Sequence, residues 1–205
     1  MGNGISNHSG SRMAISAMAD MMKVTKSQLI DLREACLQRV RSTHKQKSPE
    51  ITREVFRDAM KELNLDMNDV DVFDHLFTMH DKHGEDKLNL LVFLAGVSPL
   101  ASTMDIETKL LFAFEVFDID STGCLQRADA KKILNGINAT ASYFGDPALT
   151  TKAVDIIVED VYKNQSEIFY DEYMDLFSSH PAVLQFASSG GTIKYGNGNG
   201  QNMTR

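Results

Sequence analysis

Apolar residues recur at helical spacing through most of the chain. Leu29, Leu32, Cys36 and Val40 fall on one face of a helix, and Val154, Ile157, Val158 and Val161 do the same farther on. Thr25 followed by Gln28 has the form of a capping box opening the first of these helices. No window alternates apolar and polar residues over more than two or three positions, so the pattern predicts an all-α chain. The ends read differently. Gly2 to Ala19 is rich in Gly, Ser, Asn and Met with weak periodicity, and the Gly/Asn-rich stretch from Ser188 is expected to be disordered.

The helical pattern repeats. Ile51, Leu88, Leu125 and Ile168 are lone aliphatic residues in polar surroundings, separated by 37, 37 and 43 residues. Eleven positions before each anchor stand Val40, Phe77, Phe114 and Ile157; five after stand Phe56, Phe93, Ala130 and Tyr173; nine after stand Met60, Val97, Leu134 and Phe177. Each unit is therefore an apolar-faced helix, a polar loop and a second apolar-faced helix. A single aliphatic residue in a polar loop is what two paired loops need to form a short antiparallel bridge. This is the helix–loop–helix geometry of the EF-hand.

An EF-hand loop offers oxygen ligands at positions 1, 3, 5, 7, 9 and 12 and turns at a glycine at position 6. With the anchor at position 8, the third loop reads DIDSTGCLQRAD. Asp118 and Asp120 supply carboxylates, Thr122 a hydroxyl, Cys124 a backbone carbonyl, Gln126 a holder for a bridging water, and Asp129 the closing carboxylate. Gly123 stands where positive φ is required. Asp129 is one methylene shorter than the usual Glu, which favours six-fold coordination and brings Mg²⁺ into competition with Ca²⁺. Thr122 weakens the site further, because a neutral hydroxyl replaces a charged or amide oxygen. The other loops fail on chemistry. Loop one offers His44, Gln46, Ser48, Pro49 and Val55; loop two has Asp86 at the turn position and Val92 at the close; loop four has Val161, Lys163 and Gln165 ahead of Glu172. One ion site, Ca²⁺ or Mg²⁺, is expected.

Composition narrows the function classes. The 205 residues hold 21 basic and 28 acidic side chains, a net charge of −7 and a pI near 5.3, which argues against a nucleic-acid binder. With 42% hydrophobic residues and a mean hydropathy of −0.23, the reading is a soluble, intracellular protein with a real core and no signal or membrane-spanning segment. Cys36 and Cys124 form no CxxC pair. His80 and His83, like His44 and His75, read as scattered surface histidines without the partners a zinc site needs. No phosphate loop, GxSxG elbow or HExxH is present, so no enzyme is expected.

The chain resembles the calcineurin-B-like superfamily of four-EF-hand proteins, and most closely the calcium- and integrin-binding proteins. The resemblance is carried by VTKSQLIDL, by DIETKLLFAFEVFDIDSTGCLQRAD with its closing Asp, and by YMDLFSSHPAVLQFAS, and covers roughly residues 20 to 187. It departs in loop four, which is usually a working calcium loop in those proteins. Met1-Gly2-Asn3-Gly4-Ile5-Ser6 fits the N-myristoylation pattern, making Gly2 the candidate acylation site, and the superfamily resemblance adds weight. One such chain gives only reversible membrane binding.

The expected organisation is a flexible segment 1–22, a lobe 23–98 of two degenerate hands, a lobe 103–187 with one metal-competent hand, and a disordered tail 188–205. The leading functional reading is a non-catalytic Ca²⁺/Mg²⁺-binding adaptor or regulatory subunit. It would bind an amphipathic helix of a larger partner and would be cytoplasmic, with transient membrane contact through myristate. The alternatives are a constitutive structural subunit of an axonemal or cytoskeletal assembly, in a cilium or the cytoskeleton, and a phosphatase regulatory subunit resembling calcineurin B. The cluster Met13, Met18, Met21 and Met22 reads as helix packing ahead of a partner-groove lining.

Overall fold

The first helix opens as the capping box predicts. The Thr25 amide donates to Gln28 Oε1 at 2.9 Å, and the Gln28 amide donates to Thr25 Oγ1 at 3.2 Å, so two amides the helix cannot use find partners. The computed structural model describes residues 22–40, 49–143 and 150–179. Gly2, Met13, Met18, Met21, His44, Gln46, Ser48 and the tail from Ser188 lie outside the described residues.

Four helix–strand–helix units follow one another. Unit one is α1 (Lys26–Val40), β1 (Glu50–Thr52) and α2 (Arg53–Glu62); unit two is α3 (Met67–His80), β2 (Lys87–Asn89) and α4 (Leu90–Val97). A 3₁₀ turn, Ser98–Leu100, leads to unit three: α5 (Ile106–Phe117), β3 (Cys124–Gln126) and α6 (Arg127–Tyr143). Unit four is α7 (Thr151–Tyr162), β4 (Glu167–Phe169) and α8 (Tyr170–Ser179).

The strands pair antiparallel as β1–β2 and β3–β4, and the registers place Ile51 opposite Leu88 and Leu125 opposite Ile168. The four repeat anchors thus meet in pairs, each buried. Equivalent backbone bonds flank both bridges: Arg53 N–H to Asp86 C=O and Leu90 N–H to Pro49 C=O in the first, Arg127 N–H to Ser166 C=O and Tyr170 N–H to Gly123 C=O in the second. Such short strands are stable only because the flanking helices bury the anchors.

The repeat positions fill the core. Phe56, Phe73, Phe77 and Phe93 form one aromatic cluster, with Phe56 edge-on to Phe93 at 5.3 Å between centroids. In the other half Phe114, Tyr173 and Phe177 stack, and the buried Tyr173 and Tyr162 hydroxyls donate to the carbonyls of Leu110 and Leu125. Burying each such ring stabilises by roughly 1.5–3 kcal/mol.

The two apolar cores do not divide cleanly at residues 98–103. Met104, Phe112 and Val116 pack with the core of the first two units, and Ala95 packs with that of the last two. The connector itself is tied down: the Ser102 hydroxyl donates to Met22 C=O at 2.9 Å and the Thr103 hydroxyl to Val24 C=O at 2.7 Å. Asp69, buried at the start of α3, accepts from the Lys23 amide at 2.8 Å. Met22, expected to end a flexible segment, is fully buried here, where these three side chains hold its carbonyl and the backbone of the two residues after it.

Helices α4 and α6 cross at two glycines. A Cβ on Gly96 would sit 2.7 Å from the Gly136 carbonyl oxygen, and one on Gly136 would sit 2.5 Å from the Val92 carbonyl oxygen, so only hydrogen fits at either place. Beside the crossing, His80 Nε2 lies 2.9 Å from Thr140 Oγ1 and the ring stands edge-on to Phe93. His80 is therefore no surface histidine. Burial, with Lys82 adding to it, pushes its pKa down to about 4. His75 and His83 are exposed as expected. Among the described residues no helix is long and apolar enough to cross a membrane.

Candidate metal loop

Helix α5 runs into Asp118, whose backbone (φ −82°, ψ 63°) leaves the helix and whose carboxylate organises the loop. Its Oδ1 accepts from the Thr122 amide at 2.8 Å and the Thr122 hydroxyl at 2.9 Å, and its Oδ2 accepts from the Gly123 amide at 3.0 Å. Gly123 takes φ +72°, the conformation its place in the motif predicts, and Ser121, two residues earlier, takes φ 52°. The Thr122 hydroxyl is also 3.5 Å from the Cys124 carbonyl oxygen. Positions 1, 5 and 7 thus bring three oxygens together.

The remaining expected ligands face elsewhere. Asp120 is exposed. Gln126 donates from Nε2 to Glu167 Oε2 at 2.5 Å across the strand pair. Asp129 pairs with Lys132 one turn along α6, Nζ to Oδ1 2.7 Å. Among the described residues no three carboxylate, imidazole or thiol side chains converge to hold a metal ion. The donor set is nevertheless all oxygen, the type that hard cations such as Ca²⁺ and Mg²⁺ take. Its first half is already ordered, while in its second half Gln126 is engaged with Glu167 and Asp129 with Lys132.

Loop two copies the first half around Asp81. Asp81 Oδ1 accepts from the Glu85 amide at 3.1 Å and Oδ2 from the Asp86 amide at 2.8 Å. Desolvation raises the Asp81 pKa, but bonds from the amides of Asp86, Glu85, Gly84 and His83 outweigh it and the net shift is downward. Asp86 makes the turn with φ 57°, a conformation Asp tolerates better than most residues, so the loop keeps its shape without the glycine. Val92 supplies only its amide, which caps on Asn89. In loop four, Lys163 takes φ 50° and its carbonyl accepts from Arg127.

Sequence reasoning overlooked the arginines. Arg53 and Arg127 both stand two residues after an anchor, at position 10 of the odd-numbered loops, and both reach into the neighbouring even-numbered loop. Their shared offset was the available signal. Lys132 was also missed, although its spacing of three from Asp129 on a helix places the two side chains together.

No family model matches the chain. A 67-residue stretch is 30% identical to guanylyl cyclase-activating protein 2 of Lithobates pipiens, covering 33% of this chain and 34% of that protein. An 87-residue stretch is 29% identical to calcium-binding protein NCSA of Dictyostelium discoideum, covering 42% of this chain and 45% of that protein. The matches span less than half the length of either relative. The fold is that of paired EF-hand units. As in any EF-hand, the exit helix of each loop begins directly at the bridge, so α6 starts at Arg127 inside the third loop and ends beyond the glycine crossing. A change in that loop therefore acts on the helix that packs against α4.

Proposed function

We propose that this EF-hand protein is a non-catalytic regulatory or adaptor subunit that binds one Ca²⁺ or Mg²⁺ in its third loop and docks an amphipathic helix of a larger protein. The observation that carries the reading is the Asp118 carboxylate, held by the amides of Thr122 and Gly123 and by the Thr122 hydroxyl, which also lies near the Cys124 carbonyl. Asp118, Asp120, Thr122, the Cys124 carbonyl, Gln126 and Asp129 would hold the ion. A bound dication would offset the mutual repulsion of the three carboxylates. Thr122 turns its hydroxyl proton away from Asp118, and Asp129 gives up Lys132.

Support for a protein partner comes from a relative whose name couples it to guanylyl cyclase, and from Phe169 and Ile156, 60% and 51% exposed in unit four. The resemblance to calcium- and integrin-binding proteins supports the adaptor role, and myristate on Gly2 would add a reversible tether that needs the partner as its second signal.

A second reading, a constitutive structural subunit, is favoured by the Asp129–Lys132 pair and by even-numbered loops that are closed with no ion. Calorimetric titration of the metal-stripped protein with Ca²⁺, with and without millimolar Mg²⁺, separates the two. One site, lost in Asp118→Ala, supports the first; no heat from a folded protein with either ion refutes it.

A further inference from the structure

The even-numbered loops hold an EF-hand shape without the full set of dication ligands, since loop two closes on Val92 and loop four opens on Val161 and Lys163, so other contacts tie their ends. Arg53 makes it in the first pair. Its Nε lies 2.6 Å from Oδ1 of Asp86, the turn residue of loop two. One terminal nitrogen reaches the Asp74 carbonyl at 3.0 Å and the Asp74 carboxylate at 3.3 Å. Asp74 belongs to α3, the helix entering loop two, so one guanidinium bridges the loop to its own entering helix. The group also lies 4.6 Å from the centroid of Phe77 and its side chain is only 15% exposed. Arg57 holds the other side of Asp74 with two parallel bonds of 2.7 and 2.8 Å.

The second pair repeats the plan with different acceptors. Arg127 donates to the Lys163 carbonyl of loop four at 3.3 Å and ion-pairs with Glu159 of α7, the helix entering loop four. The backbone amides match as well: Arg53 donates to the carbonyl of Asp86 and Arg127 to that of Ser166, both at position 6 of the neighbouring loop. A dication in an EF-hand joins the entering helix to the loop turn. Arg53 makes that same connection with a monovalent, planar cation fixed to the protein, while Arg127 joins the entering helix to the start of loop four with its side chain and reaches the turn with its backbone amide.

We propose that Arg53 and Arg127 are built-in cations that close loops two and four in place of a metal ion, so that these loops keep their shape with no ion bound. A fork of donors suits the task, since it serves the turn and the helix at once, and lysine would serve one of them.

Amide hydrogen exchange on the full chain in excess chelator tests this. The wild-type amides of 82–89 and 163–169 are expected to exchange at the same rate with chelator as with Ca²⁺. Arg53→Gln should speed exchange of 82–89 about tenfold or more, as expected for losing hydrogen bonds to charged groups, and leave 163–169 alone. Arg127→Gln should do the reverse, and Arg53→Lys should recover only part of the protection. Should Arg53→Gln fail to fold, Asp86→Asn removes the negative charge that Arg53 meets on the loop without disturbing the packing on Phe77. Loss of protection in wild-type loop two on adding chelator would overturn the proposal. So would unchanged exchange in the variants, or a rise spread evenly over both loops.

Discussion

Replacing Gly136 by Ala tests the crossing of α4 and α6 directly. In an isolated helix the change would stabilise by about 1 kcal/mol, because Ala loses less backbone freedom than Gly. Here the new methyl would stand 2.5 Å from the Val92 carbonyl oxygen and 3.2 Å from Val92 Cγ1. An ordinary carbon–oxygen approach is about 3.3 Å, so the helices must part by roughly 0.8 Å at the crossing. The obstacle is backbone, which cannot rotate away as a side chain can, and the cost belongs near the upper end of the roughly 1–3 kcal/mol seen for overpacking. Net destabilisation of about 2 kcal/mol follows, a fall in Tm of roughly 4–8 °C for a chain of this size. Gly96→Ala meets the same contact from the other side, 2.7 Å from the Gly136 carbonyl. The double variant should therefore lose less than the sum of the two, since the first separation relieves the second. Thermal and urea unfolding of the three variants decide the matter. A Gly136→Ala protein as stable as wild type, or more so, would show that the helices do not touch there and that the close approach carries no energy.

Two other perturbations follow from the same contacts. His80 is held neutral by burial, its pKa down to about 4 from the ordinary 6.5, while the unfolded chain binds the proton from pH 6.5 downward. Its contribution is present in full above pH 6.5 and is lost as pH falls toward 4, by at most about 3 kcal/mol. His80→Gln, able to keep a bond to Thr140 without titrating, should flatten that part of the pH–stability curve, and an equally steep curve would refute the assignment. Lys132→Met should tighten ion binding in the third loop, because Asp129 no longer has to leave a cation. The pair is substantially exposed and contributes no more than about 1 kcal/mol, so calorimetry should find at most a fivefold gain; weaker binding would mean that Lys132 positions Asp129 productively.

The repeat was legible because its signal is local and periodic. Ile51, Leu88, Leu125 and Ile168 stand out as single aliphatic residues among polar ones, and the same feature makes them pair, since each needs a partner to leave water. Thr25 and Gln28 were legible for a similar reason: the capping box lies within one turn of chain. What the sequence hid is what depends on two distant segments meeting. Gly96 and Gly136 are ordinary helix-weakening residues until α4 and α6 cross, and nothing in their neighbours announces the crossing. His80 looked solvent-facing because it ends a helix beside a polar loop, and only Thr140, sixty residues on, encloses it. In the third loop the motif correctly marked Gly123 for positive φ, but it lists ligands without their competitors, and so gave no weight to Lys132.

The described loops differ most in how their charges are balanced. Loop two satisfies Asp81 with its own amides and Asp86 with Arg53, and loop four, with Lys163 at position 3, places no carboxylate at positions 1, 3 or 5. Loop three carries Asp118, Asp120 and Asp129 against the single ammonium group of Lys132. Among the described loops it is the one that places carboxylates at positions 1, 3 and 12 together, the arrangement an external cation would offset. Its exit helix is α6, which holds Gly136 and Thr140 against α4 and His80. The glycine contact has no slack, so α6 cannot shift toward α4 when loop three changes shape; it can only slide, tilt or carry α4 with it. Any of these moves alters the His80–Thr140 bond. An ion that reshapes loop three thus has a rigid route through α6 into the first two units, beside the packing of Phe112 and Val116 on α5, and it runs through side chains whose environment proton NMR can follow.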